Sequence, residues 1–124
     1  MDYDIQVIFV PVTDVDRTKA FYVDQVGFVC DHDQEVDEGT RFVQLTPPGS
    51  RACSIAFGRG LTTMEPGSQQ GIMAVVADAD ATLAHLRANG VTAAGVDEQA
   101  WGRFVSFSDP DGNSWALQQL PTWG

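Results

Sequence analysis

Two histidines and a cluster of carboxylates are the first candidates for chemistry in this 124-residue chain. His32 stands among Asp31, Asp33, Glu35 and Asp37, residue types able to hold a divalent ion. Successive residues of an extended segment point to opposite faces, so Asp31 and Asp33 share a side that His32 does not. The pattern therefore favours a solvated acidic loop. His85 holds, in a second helical stretch, the position of Phe21 in a first, and is expected on a half-buried helix face. With neither histidine on a groove-facing strand, a His-based acid–base mechanism has little support. Cys30 and Cys53 lack metal or redox spacing and read as two small buried thiols. Gly58-Arg59-Gly60 lacks the strand-to-helix context of a phosphate loop, and no Ser-His-Asp or Cys-His arrangement follows from spacing. Trp101-Gly102-Arg103 remains. Its indole is suited to stacking on a planar ligand or to covering the core, and its guanidinium to binding a carboxylate or pairing with an internal acid. Arg41, Gln44 and Gln118 are further polar candidates, with Gln44 expected to bond within the fold.

The elements that would position these residues come in two copies. Val12-Thr13-Asp14-Val15-Asp16-Arg17-Thr18-Lys19-Ala20 recurs as Val76-Ala77-Asp78-Ala79-Asp80-Ala81-Thr82-Leu83-Ala84, 64 residues on. Gly27 and Gly90 end the two stretches, and Pro47-Pro48-Gly49 is echoed by Pro110-Asp111-Gly112, both at a spacing of 63. Each half reads β-α-β-β-β. Strands are expected at residues 5–10, 28–31, 40–46 and 53–57, then at 72–76, 91–96, 103–108 and 114–120. Asp14 caps the first helix, Asp78 or Asp80 the second, and a glycine able to take positive φ closes each. Alternation puts Ile55, Phe57, Trp115 and Leu117, with Cys53, on the core side. It leaves Ser54, Ala56, Gly58, Ser114, Ala116 and Gln118 facing the other way. The expected organisation is one domain over residues 1–124, with module one at about 1–60 and module two at about 70–121, joined by a Gly-, Thr- and Ser-rich connector.

Composition narrows the partners. Seven basic residues against seventeen acidic ones give a net charge of −10. Such a field opposes nucleic acid and anionic membranes and favours solubility or a cationic ligand. No apolar run is long enough for a membrane span. The start, Met-Asp-Tyr-Asp, has no leader pattern, so a cytoplasmic location is expected.

The wording of the repeats is more specific. Val12-x-Asp14-x-x-Arg17-x-x-x-Phe21-Tyr22, followed by Val26-Gly27-Phe28, resembles the first-helix signature of the vicinal oxygen chelate superfamily, which gathers glyoxalase I, bleomycin-resistance proteins and extradiol dioxygenases. Ser108-Asp109-Pro110-Asp111-Gly112-Asn113 resembles its second signature, the turn before the last strand. The resemblance implies an α+β fold of two tandem βαβββ modules, a curved mixed sheet around a central cavity. It also implies homodimers with pockets at or near the subunit seam. Metal-dependent members place one ligand on each of four strands. Carried over by position, those slots are Val7, Ala56, Ile72 and Ala116, none of which binds a metal. No metal or other cofactor is therefore expected.

Three readings follow. The leading one is a metal-free protein that binds and sequesters a hydrophobic or cationic aromatic compound, resembling the bleomycin-resistance branch. Its ligand-binding residues would be Val7, Phe9, Ala56, Ile72, Ala74 and Ala116 on the floor, with Trp101, Arg103 and Gln118 around them. The second is a lyase or isomerase acting on a small metabolite in the same cavity. The third is a scaffold kept for protein interaction alone.

Overall fold

The computed structural model describes residues 1–50 and 53–122. Module one consists of β1 (Val7–Phe9), α1 (Val15–Ala20) continued by one wider helical turn at Phe21–Val26, β2 (Val29–Asp37), β3 (Thr40–Thr46) and β4 (Ser54–Arg59). Module two repeats the order with β5 (Ile72–Val75), α2 (Ala79–Ala88), β6 (Ala93–Gln99), β7 (Gly102–Ser108) and β8 (Ser114–Gln119). Each module forms its own four-stranded mixed sheet, ordered β1-β4-β3-β2 and β5-β8-β7-β6, with the first strand parallel to the last.

The caps explain why both helices start where they do. Asp14 accepts from the Arg17 N–H at 3.0 Å and Asp78 from the Ala81 N–H at 3.1 Å, each satisfying an amide the helix leaves free. Gly27 closes the first helix at φ +101°, a conformation side chains disfavour.

One expectation changes here. The acidic stretch is not a loop: residues 31–37 continue β2, which turns into β3 through Glu38-Gly39. The strand tolerates its charge because the carboxylates facing the helix are neutralised. Asp33 is bound by Lys19 and Arg41, and Glu35 by Arg59.

A single apolar core joins the modules. Ile55, Phe57, Val43 and Leu45 of the first sheet share it with Val105, Phe107, Trp115 and Leu117 of the second. Tyr22 lies between, its ring 6.1 Å from Phe57 and 6.0 Å from Trp115, while Phe21 sits 6.1 Å from Phe107. Each sheet therefore turns its helix side towards the other module and its opposite, open face outward. Cys30 and Cys53 are half-buried free thiols at the margin of this arrangement.

Candidate functional site

Strand register decides which residues the open faces carry. In the first sheet Val7 pairs with Ser54, Phe9 with Ala56, and Ala56 with Gln44. Directly paired residues point the same way, so Val7, Phe9, Gln44, Ser54 and Ala56 share the open face. Ala56 is fully covered by its neighbours, a floor without a surface of its own. In the second sheet Met73 pairs with Ala116 and Val75 with Gln118, with Ser106 and Phe104 alongside. Met73 and Val75 are 59% and 64% exposed, large apolar side chains aimed at solvent.

Two of the expected floor residues lie elsewhere. Ile72 pairs with Trp115 and Ala74 with Leu117, which places both on the helix side. There they line a crevice of about 480 Å³ between the modules, with Ile5, Ile8, Pro47 and Trp115. The reason is a shortened link. The Val10 N–H reaches Ala56 O and the Val76 N–H reaches Gln118 O, which makes Val10 and Val76 equivalent, 66 residues apart, although the capping aspartates are 64 apart. A count of six back from Asp78 ends at Ile72, whereas the equivalent of Val7 is Met73, five back, and in a strand a one-residue slip inverts the face. The side chains equivalent to Val7 and Phe9 are Met73 and Val75.

Arg103 is also reassigned. It pairs with Gln119 on the helix side, where its guanidinium grips Asp80 at 2.9 and 3.3 Å and Glu98 at 2.7 Å. Arg41 does the same in module one, bonding Asp33 through two nitrogens and Asp16 through a third. These arginines fasten each helix start to its sheet, and the Asp33 carboxyl is held well below its usual range, by Arg41 first and Lys19 second. Trp101, in the β6–β7 turn, is 57% exposed. Its carbonyl accepts from Gln118 Nε2 at 2.7 Å. Gly102 permits this approach, since a Cβ there would lie 3.0 Å from that nitrogen. The Gln44 amide has no protein partner among the described residues. His85 lies on α2, where its Nε2 meets Val26 O at 3.2 Å, far from either open face.

A basin of about 620 Å³ lies on one end of the second sheet, with Gly71, Ala94, Ser106, Ser114 and Ala116 among its lining. The open faces thus combine small floors with exposed Phe9, Met73 and Val75 at their margins. A divalent ion needs several imidazole, thiolate or carboxylate ligands converging on one point. With the register corrected, the equivalent rungs are Val7 and Ser54 with Met73 and Ala116, then Phe9 and Ala56 with Val75 and Gln118. A hydroxyl and a neutral amide do not make such a site. Among the described residues, no three His, Cys, Asp or Glu side chains are grouped to hold a metal. No helix among the described residues is long and apolar enough to cross a membrane.

Two tandem helix-backed sheets with bare outer faces define a glyoxalase-like protein. The chain belongs to the Glyoxalase/Bleomycin resistance protein/Dioxygenase superfamily, whose model matches residues 4–117. It is similar to TnmS3, an antibiotic binding protein from Streptomyces sp. CB03234, with 38% identity, coverage of 97% of this chain and 98% of that one, and a TM-score of 0.87. A superfamily member from Sphaerobacter thermophilus is 31% identical over 96% of this chain and 98% of its own, with a TM-score of 0.83. The Bacillus subtilis protein YetH is 28% identical over 93% of this chain and 97% of its own.

Proposed function

We propose that this chain is a metal-independent small-molecule-binding protein that sequesters a hydrophobic or cationic aromatic compound. The observation that carries this reading is the composition of the open faces: small floors and exposed apolar margins, with Asp31, His32 and Asp97 on the outer strands β2 and β6 and no three His, Cys, Asp or Glu side chains grouped among the described residues. Apolar surface of this kind with few polar contacts suits an aromatic ligand. The net charge of −10 favours the approach of cations. The similarity to an antibiotic binding protein points the same way.

In this reading the groove closes between two copies. The open faces of one chain point away from each other, so the first sheet of one copy would meet the second sheet of its partner. Val7, Phe9 and Ala56 would then oppose Ala116, Gln118 and the rim residue Trp101. Isothermal calorimetry against planar aromatic compounds, some cationic, tests the reading; heat is expected for flat members of the panel, and silence from all of them rejects it. Elemental analysis is expected to find no stoichiometric divalent ion, and light scattering to give twice the chain mass.

A further inference from the structure

We infer that the groove selects ligands presenting hydrogen-bond donors, as hydroxyl, amine or ammonium groups on an apolar frame, and rejects carboxylates of the same shape. This rests on the open faces being the ligand groove, and it follows from where the protons on those faces are directed. Thr46 donates its hydroxyl proton to the Asp31 carboxylate. A carboxylate has no proton to return, so the direction is fixed. Thr46 Oγ1 also lies 2.6 Å from Ser54 Oγ. With the Thr46 proton committed to Asp31, Ser54 must donate to Thr46. Ser54, the open-face partner of Val7, is left with lone pairs alone.

The second sheet reaches the same polarity by another route. Gln118 Nε2 is held by the Trp101 carbonyl, and its Oε1 has no protein partner among the described residues. On the second face, at the rung equivalent to Ala56, the amide therefore offers an acceptor. Gln44 and Ser106 have no protein partners among the described residues and can accept as readily as donate, so they do not offset this bias.

The charges agree. Among the described residues, Lys19 and Arg41 pair with Asp33, Arg59 with Glu35, Arg103 with Asp80 and Glu98, and Arg17 with Asp111. Arg87 donates to Ala93 O. Each of these cations sits on a helix or on the helix side of a sheet. Asp31 and Asp97 carry negative charge at the open faces, and among the described residues His32 is the one basic side chain there. Among the described residues, an entering anion would meet no lysine or arginine on these faces, whereas a donor would find the Ser54 and Gln118 acceptors already turned towards it.

The test uses four naphthalenes of matched shape: 2-naphthol, 2-naphthylmethylamine, 2-methoxynaphthalene and 2-naphthoate, each titrated by calorimetry into the full chain. The two neutral probes separate donor selection from net charge. Naphthol is expected to bind about tenfold tighter than methoxynaphthalene, which lacks only the proton. Naphthylmethylamine should match or exceed naphthol, and naphthoate should be weakest. Thr46→Val keeps the net charge and frees the Ser54 proton, so the naphthol preference should shrink while the circular dichroism spectrum stays unchanged. His32→Gln should leave the order intact. Equal binding of naphthol and methoxynaphthalene, or naphthoate binding as tightly as naphthol, overturns the inference while leaving the groove in place. Silence from all four overturns the groove reading itself.

Discussion

The two modules share a plan, and one of the helical positions at which they differ ties the halves together. Tyr22 and Leu86 are equivalent and both fully buried. Leu86 only packs. Tyr22 carries a hydroxyl across the core, donating to Asp109 Oδ2 at 2.9 Å and accepting from Trp115 Nε1 at 3.0 Å. Burial first, and the Asp109 charge second, push this phenol well above its ordinary range, so it stays a donor. Asp109 lies in module two and has no cation beside it among the described residues. It is held by the Tyr22 hydroxyl, Asn113 Nδ2 and the backbone amides of Asp111 and Asn113, while Asn113 also reaches Pro11 O. A repeat built from equal halves needs something unequal to fix how they sit, and a polar group reaching from one half to the other does so.

The comparison breaks most directly by giving module one the residue of module two. Tyr22→Leu strips a buried carboxylate of one donor and the Trp115 indole of its acceptor, and leaves a void where the ring was. The expected loss is about 4 kcal/mol in chemical denaturation, from unsatisfied polar groups and cavity together. Leu86→Ala, a cavity alone, should cost about 3 kcal/mol. A Tyr22→Leu loss below about 1 kcal/mol would show that the shared network adds nothing beyond packing.

The arginine clamps give the next largest contrast. Arg41 has 12% of its side chain exposed and Arg103 31%, and Asp33 is far less exposed than Asp80 or Glu98. Arg41→Ala leaves Asp33 with Lys19 alone and should cost about 2 kcal/mol, between an exposed and a fully buried pair. Arg103→Ala should cost less, since water replaces its partners readily. Equal losses would mean that burial does not separate the clamps. Acid gives a smaller version of the same test. The Asp33 carboxyl is depressed in the folded chain from its ordinary 3.8, so its stabilisation is complete above that value and fades as pH falls further, towards the folded value. Wild-type stability should fall more steeply below pH 4 than that of Arg41→Ala, and parallel profiles would remove Asp33 as the cause.

The contrast also explains what the sequence disclosed. Caps, helix-ending glycines and turns are local, and Asp14, Asp78, Gly27 and Gly112 act within a few residues of themselves. The fold was legible for that reason. The open faces were legible where one strand sufficed, as for Val7, Phe9, Ala56, Ala116 and Gln118. Ile72 and Ala74 were misplaced because the link from β5 to α2 is two residues shorter than its counterpart, and a count that absorbs one of those two residues ends on the opposite face. For Arg103 the choice between a ligand carboxylate and an internal acid stayed open because Asp80, its partner, lies 23 positions away. Asp33 was hidden among apparent loop residues because Arg41 and Lys19, 8 and 14 positions away, meet it only once the β2–β3 hairpin forms and the helix lies on the sheet.

The smallest expected stability effect belongs to the hairpin turns, where the modules differ in a residue the fold does not need. Module one turns through Glu38-Gly39 and module two through Ala100-Trp101. The Trp101 ring is mostly in water, and its one bond to the sheet uses the carbonyl, which any residue supplies. Trp101→Ala should therefore change stability by no more than about 0.5 kcal/mol. Its effect should appear in binding instead, because a rim indole can stack on a flat ligand while a methyl group cannot. Affinity for 2-naphthol should fall about fivefold, roughly 1 kcal/mol of lost stacking. Loss of stability without loss of affinity would reverse the assignment, making Trp101 part of the core and leaving the second face without an aromatic rim.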